Sequence, residues 1–217
     1  IIDTSAGNGA VEFTSTLNGA DATNRALTVK SGSGKVTVTG VTGGSFDLGA
    51  FKINDLAGSG EIELYDIGDS GNTGSGATTV GNSNTSKIIL DGVLYKPGGT
   101  TKFTATTGSG TGNDTITVTR GSAGAGDADF VMGANSLEFA GGAVKLSNDV
   151  NLDIDGTGAV TIAALEGTSS ETVTITTTGT TTLGTVGTVT TTGIGDFAVN
   201  GSSSASNGGI VLTGNIT

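Results

Sequence analysis

The chain has 217 residues, 40 of them Gly, with no Cys, no His and a formal net charge of −11. Without Cys and His, thiol catalysis, imidazole acid–base chemistry and ordinary zinc or haem ligation are excluded. Nine Lys and Arg against twenty Asp and Glu leave no basic footprint for nucleic acid, and the longest apolar runs are too short for a membrane span.

The first predicted element is a Gly turn followed by a short strand at residues 7–13, which read Gly-Asn-Gly-Ala-Val-Glu-Phe. The same combination returns at 32–38 and 58–64. Apolar and polar residues alternate after each turn, which is typical of a strand with one buried face. Further copies, some of them weaker, start at residues 83, 110, 133, 156 and 179.

The copies recur about every 25 residues along the chain. Such short strands, separated by Gly, Asn and Asp corners at a 23–27 residue repeat, predict an all-β fold, a β-solenoid (β-helix) of about 8–9 turns. We expect a single elongated domain over 1–217, roughly 40 Å long at about 4.8 Å per turn. Tandem β-sandwich domains with a split near 121–126 are the alternative, because sandwiches also use short, regularly spaced strands.

The repeat also predicts which side chains are buried. Each apolar–x–apolar triplet should point its outer two residues inward and its middle residue outward, at equivalent positions in successive turns. We expect this of Val36-Thr37-Val38, Ile62-Glu63-Leu64 and Val160-Thr161-Ile162.

Two acidic regions are candidate calcium sites. Residues 110–116 match the Gly-x-Gly-x-Asp-x-apolar form of calcium-binding nonapeptide repeats, with Asp114 as the ligand. That copy has no tandem neighbour, so an Asp turn bonded to its own backbone is the alternative. Asp153 and Asp155 form the second candidate, since stacked turns bring them near the acidic pair one period earlier, at 127 and 129. A solvated acidic face is the alternative there.

No catalytic arrangement stands out in the sequence. The Gly-x-Gly turns precede strands rather than helices, so they are not dinucleotide loops. Carboxylate pairs cleave glycosidic bonds, but neither Arg25 nor Arg120 lies beside an acidic cluster in the sequence. We therefore expect a protein that is not an enzyme and has no cofactor other than calcium. Thr-x-Thr arrays at 172–192 and 101–119 keep ice binding as a further hypothesis.

The runs at 9–19, 26–44 and 180–187 resemble the β-strand-repeat surface proteins of bacteria, which include filamentous-haemagglutinin-type exoproteins and autotransporter passengers. The resemblance covers most of the chain and lies in the style of the repeat. It implies an extracellular, elongated adhesive or fibrous protein. The chain starts Ile-Ile-Asp without Met or a signal peptide, so we expect a processed product or a piece of a larger assembly.

Both ends of the sequence are apolar and strand-like. Because a coil of strands has an unpaired edge at each end, we expect these edges to pair with a longer polypeptide or another copy. The expected assembly residues are Ile1, Ile2, Ile210, Val211 and Leu212. The sequence thus predicts a structural component of a bacterial extracellular fibre, sheath or surface adhesin. A carbohydrate-binding or polysaccharide-cleaving β-helix protein, or an ice-binding protein, is the alternative, and contact with a glycan or host surface is a further expectation.

Overall fold

The chain coils into a parallel β-solenoid of about eight turns, which confirms the predicted fold class. The structure, a computed structural model, describes residues 1–106, 114–147, 149–167, 171–187, 194–201 and 209–216. Every strand ladder in these residues is parallel, unlike the antiparallel ladders of a sandwich. Residues 121–126 form a corner between two strands, with a 3₁₀ turn at Gly121–Ala123.

Each turn has up to three faces, taken here in chain order. The first face consists of β1 (Ile2–Asp3), β3 (Leu27–Lys30), β5 (Phe51–Ile53), β7 (Thr78–Val80), β10 (Thr101–Thr104), β13 (Leu137–Ala140), the start of β16 (Val160–Glu166), the start of β18 (Thr181–Val186) and β20 (Ile210–Leu212). The second face consists of β2 (Val11–Phe13), β4 (Val36–Val38), β6 (Ile62–Leu64), β8 (Ile88–Leu90), β11 (Asp114–Val118), β14 (Ala143–Leu146) and the ends of β16 and β18. The third face consists of β9 (Leu94–Tyr95), β12 (Gly126–Gly133), β15 (Val150–Gly156), β17 (Thr172–Thr177) and β19 (Asp196–Gly201).

The predicted burial pattern is confirmed, because all six apolar residues of the three triplets are buried and their middle residues are half-buried. Their predicted equivalence is only partly right. Val36 pairs with Ile62 on the second face, whereas Val160 pairs with Leu137 on the first. The repeat copies up to 110 thus lead into second-face strands, and those from 133 onward lead into first-face strands. One Gly-turn motif serves two corners of the coil.

The cross-section of the coil changes along its axis. In the first four turns, separate corner segments at 4–10, 31–35, 54–61 and 81–87 divide the first face from the second. Only 141–142 separates β13 from β14, and β16 and β18 run through both faces without a break. While that corner shortens along the chain, the strands of the third face lengthen. It begins as the single-residue bridges Leu17–Thr42–Ile67 and becomes a five-stranded sheet.

An aromatic cluster fills the core where the cross-section changes. Tyr95 stacks on Phe130 with ring centroids 4.6 Å apart, and Phe103 stacks on Phe139 at 5.4 Å. Phe130 meets Phe139 edge-on at 5.5 Å, which joins the third face to the first. Such contacts contribute about 0.5–1.5 kcal/mol each beyond area burial. Elsewhere the interior is lined mostly by Val, Ile and Leu.

Candidate functional site

The C-terminal edge of the coil is an incomplete turn with exposed apolar side chains. Among the described residues, strand β20 pairs only with β18, in the register Thr181–Ile210, Thr182–Val211 and Leu183–Leu212. Ile210, Val211 and Leu212 are 54%, 44% and 52% exposed, whereas Leu183, one turn earlier, is fully buried. These side chains are exposed because β20 is an edge strand of the described structure.

Strand β19 forms the other half of this edge. It pairs with β17 and with no other described strand, and its inward residues Phe197 and Val199 are half-buried against the core. Ile216, also half exposed, bridges to Val186 on the second face. We did not predict β19 or Ile216 as assembly residues. The signal was the spacing of two large apolar residues, Phe197 and Val199, between small or polar residues over 196–200.

The N-terminal edge is better covered. Ile1 is exposed, but Ile2 packs partly against the core beside β3. A 3₁₀ turn, Ser5–Gly7, follows β1, and the Asp3 carboxylate accepts hydrogen bonds from Ser5 N at 3.0 Å and Ser5 Oγ at 2.6 Å. These bonds lower the pKa of Asp3, with the side-chain bond as the main cause. The two predicted assembly edges therefore differ in local structure.

An acidic surface covers the outside of the third face. Asp129 and Asp153 are directly opposite each other in neighbouring strands, as the spacing of one period predicts. The neighbouring acidic residue, Asp127, meets an amide and not a second carboxylate, because Asn151 Nδ2 donates to Asp127 Oδ1 at 2.8 Å. Asp155 lies opposite Val131 and is exposed.

Burial and like charge disfavour ionisation on this surface. The pKa of Asp153 is raised, first by desolvation and then by the charges of Asp155, Asp129 and Asp127. The pKa of Asp129 is raised by desolvation and by Asp127, against the attraction of Arg120. Asp153 Oδ1 is shielded from solvent and has no hydrogen-bond partner among the described residues.

The structure describes the side chains of only one of the two candidate calcium sites. Asp114 begins β11, but its side chain and the Gly-rich segment 107–113 lie outside the described residues. Asp153 and Asp155 point to the same side of β15, yet no group of three or more acidic residues in the described ranges has a geometry that could hold a metal ion. Calcium at either place stays a prediction.

A shallow groove of about 750 Å³ runs along the corner between the first and second faces. It is lined by short, uncharged side chains and glycines from successive turns, among them Asn8, Ser33, Ser59, Asn84 and Thr106. Its lining contains no aromatic ring on which a sugar could stack, since the one exposed aromatic side chain of the described residues, Phe46, lies on another corner. The groove therefore gives the carbohydrate-binding alternative no particular support.

The Thr-rich strand β17 does not form a repeated Thr array. Thr174 and Thr176 lie between Asp153 and Asp155 on one side and Ala198 and Asn200 on the other. A flat ice-binding surface needs Thr in the same position of many successive turns, and the register here does not provide it. The described residues include no helix with the length and apolar character needed to cross a membrane.

Comparison with protein-family models, with curated proteins and with solved structures finds no match to this chain.

Proposed function

We propose that the chain is a structural, non-enzymatic component of a bacterial extracellular fibre, sheath or surface adhesin, in which further β-structure covers its terminal strands. The supporting observation is the contrast within one ladder: Leu183 is fully buried, and Leu212, stacked directly on it, is half exposed. Adding a strand to β20 would bury this apolar edge and pair its free backbone groups.

The shape and charge of the molecule agree with this role. A parallel coil lengthens without altering its interior, so it suits a fibre, and an acidic surface keeps the sides of neighbouring fibres apart. The extracellular, bacterial assignment follows from the resemblance in repeat style to secreted β-strand-repeat surface proteins. The partner is either further solenoid of a longer polypeptide or another copy of the chain.

The test is to measure the mass of residues 1–217 in solution over a range of concentrations by size exclusion with light scattering. We expect species heavier than the 20.9 kDa monomer. Leu212→Glu places a carboxylate on the inner side of β20, where strand addition would bury it unpaired, so the mass should fall to that of the monomer.

Leu56→Glu is the matched control, because Leu56 is 83% exposed in the corner segment 54–61, outside the terminal strands β1, β19 and β20. It should leave the assembly unchanged. A native chain that stays monomeric at high concentration with β20 folded would contradict the proposed assembly through the terminal strands.

A further inference from the structure

The C-terminal edge differs from the N-terminal edge in ways that decide which partner it fits. This inference depends on the proposed function, since it assumes that the edge is covered by another chain. At the N-terminal edge the third face is only the bridge residue Leu17, and segment 4–10 separates β1 from β2. At the C-terminal edge the third face is β19, six residues long. Head-to-tail stacking would leave most of β19 unpaired.

Strand β19 is instead complementary to itself in the antiparallel sense. With the strand pair centred on Ala198, Asp196 lies opposite Asn200 of the second copy. An amide can donate to a carboxylate there, so no like charges meet. On the inner side, Phe197 lies opposite Val199 of the second copy, and both side chains already pack against the core. Residues directly opposite in an antiparallel pair point to the same face, so both relations hold at once.

The other side of the coil fits the same axis. Residues at equivalent positions of successive strands form columns along the coil. The column that contains Phe139 ends at Leu212, and the column that contains Phe130 ends at Val199. Because Phe130 and Phe139 meet across the core, β20 faces β19 across the end of the coil. The chain runs in opposite directions on the first and third faces. A two-fold axis that passes through Ala198 on the third face therefore passes near Thr213 on the first face. This axis places Ile210 against Ile216 of the second copy, and both are exposed apolar residues.

We propose that the C-terminal edge binds the C-terminal edge of a second copy, with β19 paired to β19 in antiparallel orientation about a two-fold axis at Ala198. Such an isologous contact is closed, so it joins two coils end to end and does not by itself propagate a filament. The opposite, N-terminal ends of the two coils then point outward along one rod.

A cysteine at the axis tests this geometry, since the chain has no Cys of its own. In Ala198→Cys the two thiols of a dimer lie opposite each other, within reach of a disulfide. Mild oxidation should give one band at twice 20.9 kDa on a non-reducing gel. Ala163→Cys is the control, because Ala163 is exposed in β16, outside the edge strands β19 and β20, and should form no such band.

A conservative second variant keeps the proposal testable if the cysteine disturbs folding. Asn200→Asp opposes two carboxylates on each side of the axis, and the dissociation constant of the dimer should rise roughly tenfold. Asn84→Asp adds the same charge on a distant corner and should leave dimerisation unchanged.

The outcomes separate this inference from the proposed function. The two-fold contact is overturned if the chain self-associates but the Ala198→Cys variant does not cross-link. It is also overturned if Asn200→Asp leaves the dissociation constant of the dimer unchanged. Assembly through the ends stays intact in both cases. A chain that is monomeric throughout overturns both.

Discussion

The first four turns and the last four hold the same kind of apolar interior with different outer structure. In the early turns, short strands are joined by corner segments whose side chains bond from turn to turn. In the late turns, β16 and β18 run through the corner between the first and second faces without a break. The interior of a solenoid must repeat from turn to turn, whereas its corners are free to change.

The two regions also differ in how outward charges are arranged. In the early turns Lys35 Nζ lies 2.8 Å from Glu61 and 2.6 Å from Glu63, which raises the pKa of Lys35 to about 12. No Lys or Arg occurs after residue 145, and on the third face Asp153 lies opposite Asp129. Salt should therefore weaken the Lys35 ion pairs in the early turns and the carboxylate repulsion on the third face.

The largest expected effect is at the junction of the two regions. Phe130→Ala removes a fully buried ring that contacts Tyr95, Phe103 and Phe139, and leaves a cavity that both cross-sections share. The free energy of unfolding should fall by about 3–5 kcal/mol, measured by urea denaturation. Phe46→Ala, at a half-exposed ring, should change it by less than about 1 kcal/mol. Equal losses for the two variants would show that the junction is not a shared core.

The late corner depends on a close backbone approach. A Cβ at Gly184 would lie 1.7 Å from the carbonyl oxygen of Ala163, at the bend in β16 where the alternation of burial breaks. Gly184→Ala should destabilise the fold by about 2–3 kcal/mol, seen as a lower melting temperature. Gly7→Ala is the matched control, since nothing lies within 4 Å of its Cβ position. An unchanged melting temperature for Gly184→Ala would mean that the bend accommodates the added Cβ.

The early corner depends on a buried amide. Asn54 has a left-handed backbone at φ 47°; its Oδ1 accepts from Ser31 N at 2.9 Å, and its Nδ2 donates to Ser31 Oγ at 3.0 Å. Asn54→Ala leaves the Ser31 backbone N–H unpaired in a buried place, while Ser31 Oγ still donates to the Gly34 carbonyl, and the expected cost is about 2 kcal/mol. Asn24→Ala shares the left-handed backbone but is exposed, so thermal melting of the two variants isolates the buried bonds. Similar losses would assign the effect to backbone conformation alone.

The smallest expected effect has the opposite sign. Asp153→Asn removes one carboxylate from the pair with Asp129 and should stabilise the protein by about 0.5–1 kcal/mol at neutral pH. Because the pKa values of Asp129 and Asp153 are raised, these two groups bind more protons in the folded state than in the unfolded state above pH 3.8. Their contribution to stability should therefore rise as the pH falls from neutral toward 3.8.

Thermal melting of both proteins across this pH range checks the sign, since the native protein should gain stability relative to Asp153→Asn as the pH falls. The control is Asp69→Ala. Backbone bonds from Asn72 and Gly71 lower the pKa of Asp69, so its loss should destabilise. An identical pH dependence of melting in the native protein and in Asp153→Asn would contradict like-charge strain on this surface.

The buried positions could be predicted because alternation depends only on local sequence. Val36 and Val38 are buried for the reason the pattern gives, and the Asp129–Asp153 pairing follows from the repeat length. The change of face at the later copies could not be predicted, since the same Gly-turn motif precedes strands on both faces. The Asn54–Ser31 contact was missed, although its signal was present as a small polar residue directly after successive first-face strands, as in Thr4, Ser31 and Asn54.

Hydrogen–deuterium exchange at two protein concentrations tests most directly whether the C-terminal edge is where the molecule meets its partner. At low concentration the amides of β19 and β20 that point away from β17 and β18 should exchange fast, while those of β6 exchange slowly. Raising the concentration should slow exchange in β19 and β20 and leave β6 unchanged. Fast exchange in both terminal strands at every concentration would contradict assembly through this edge.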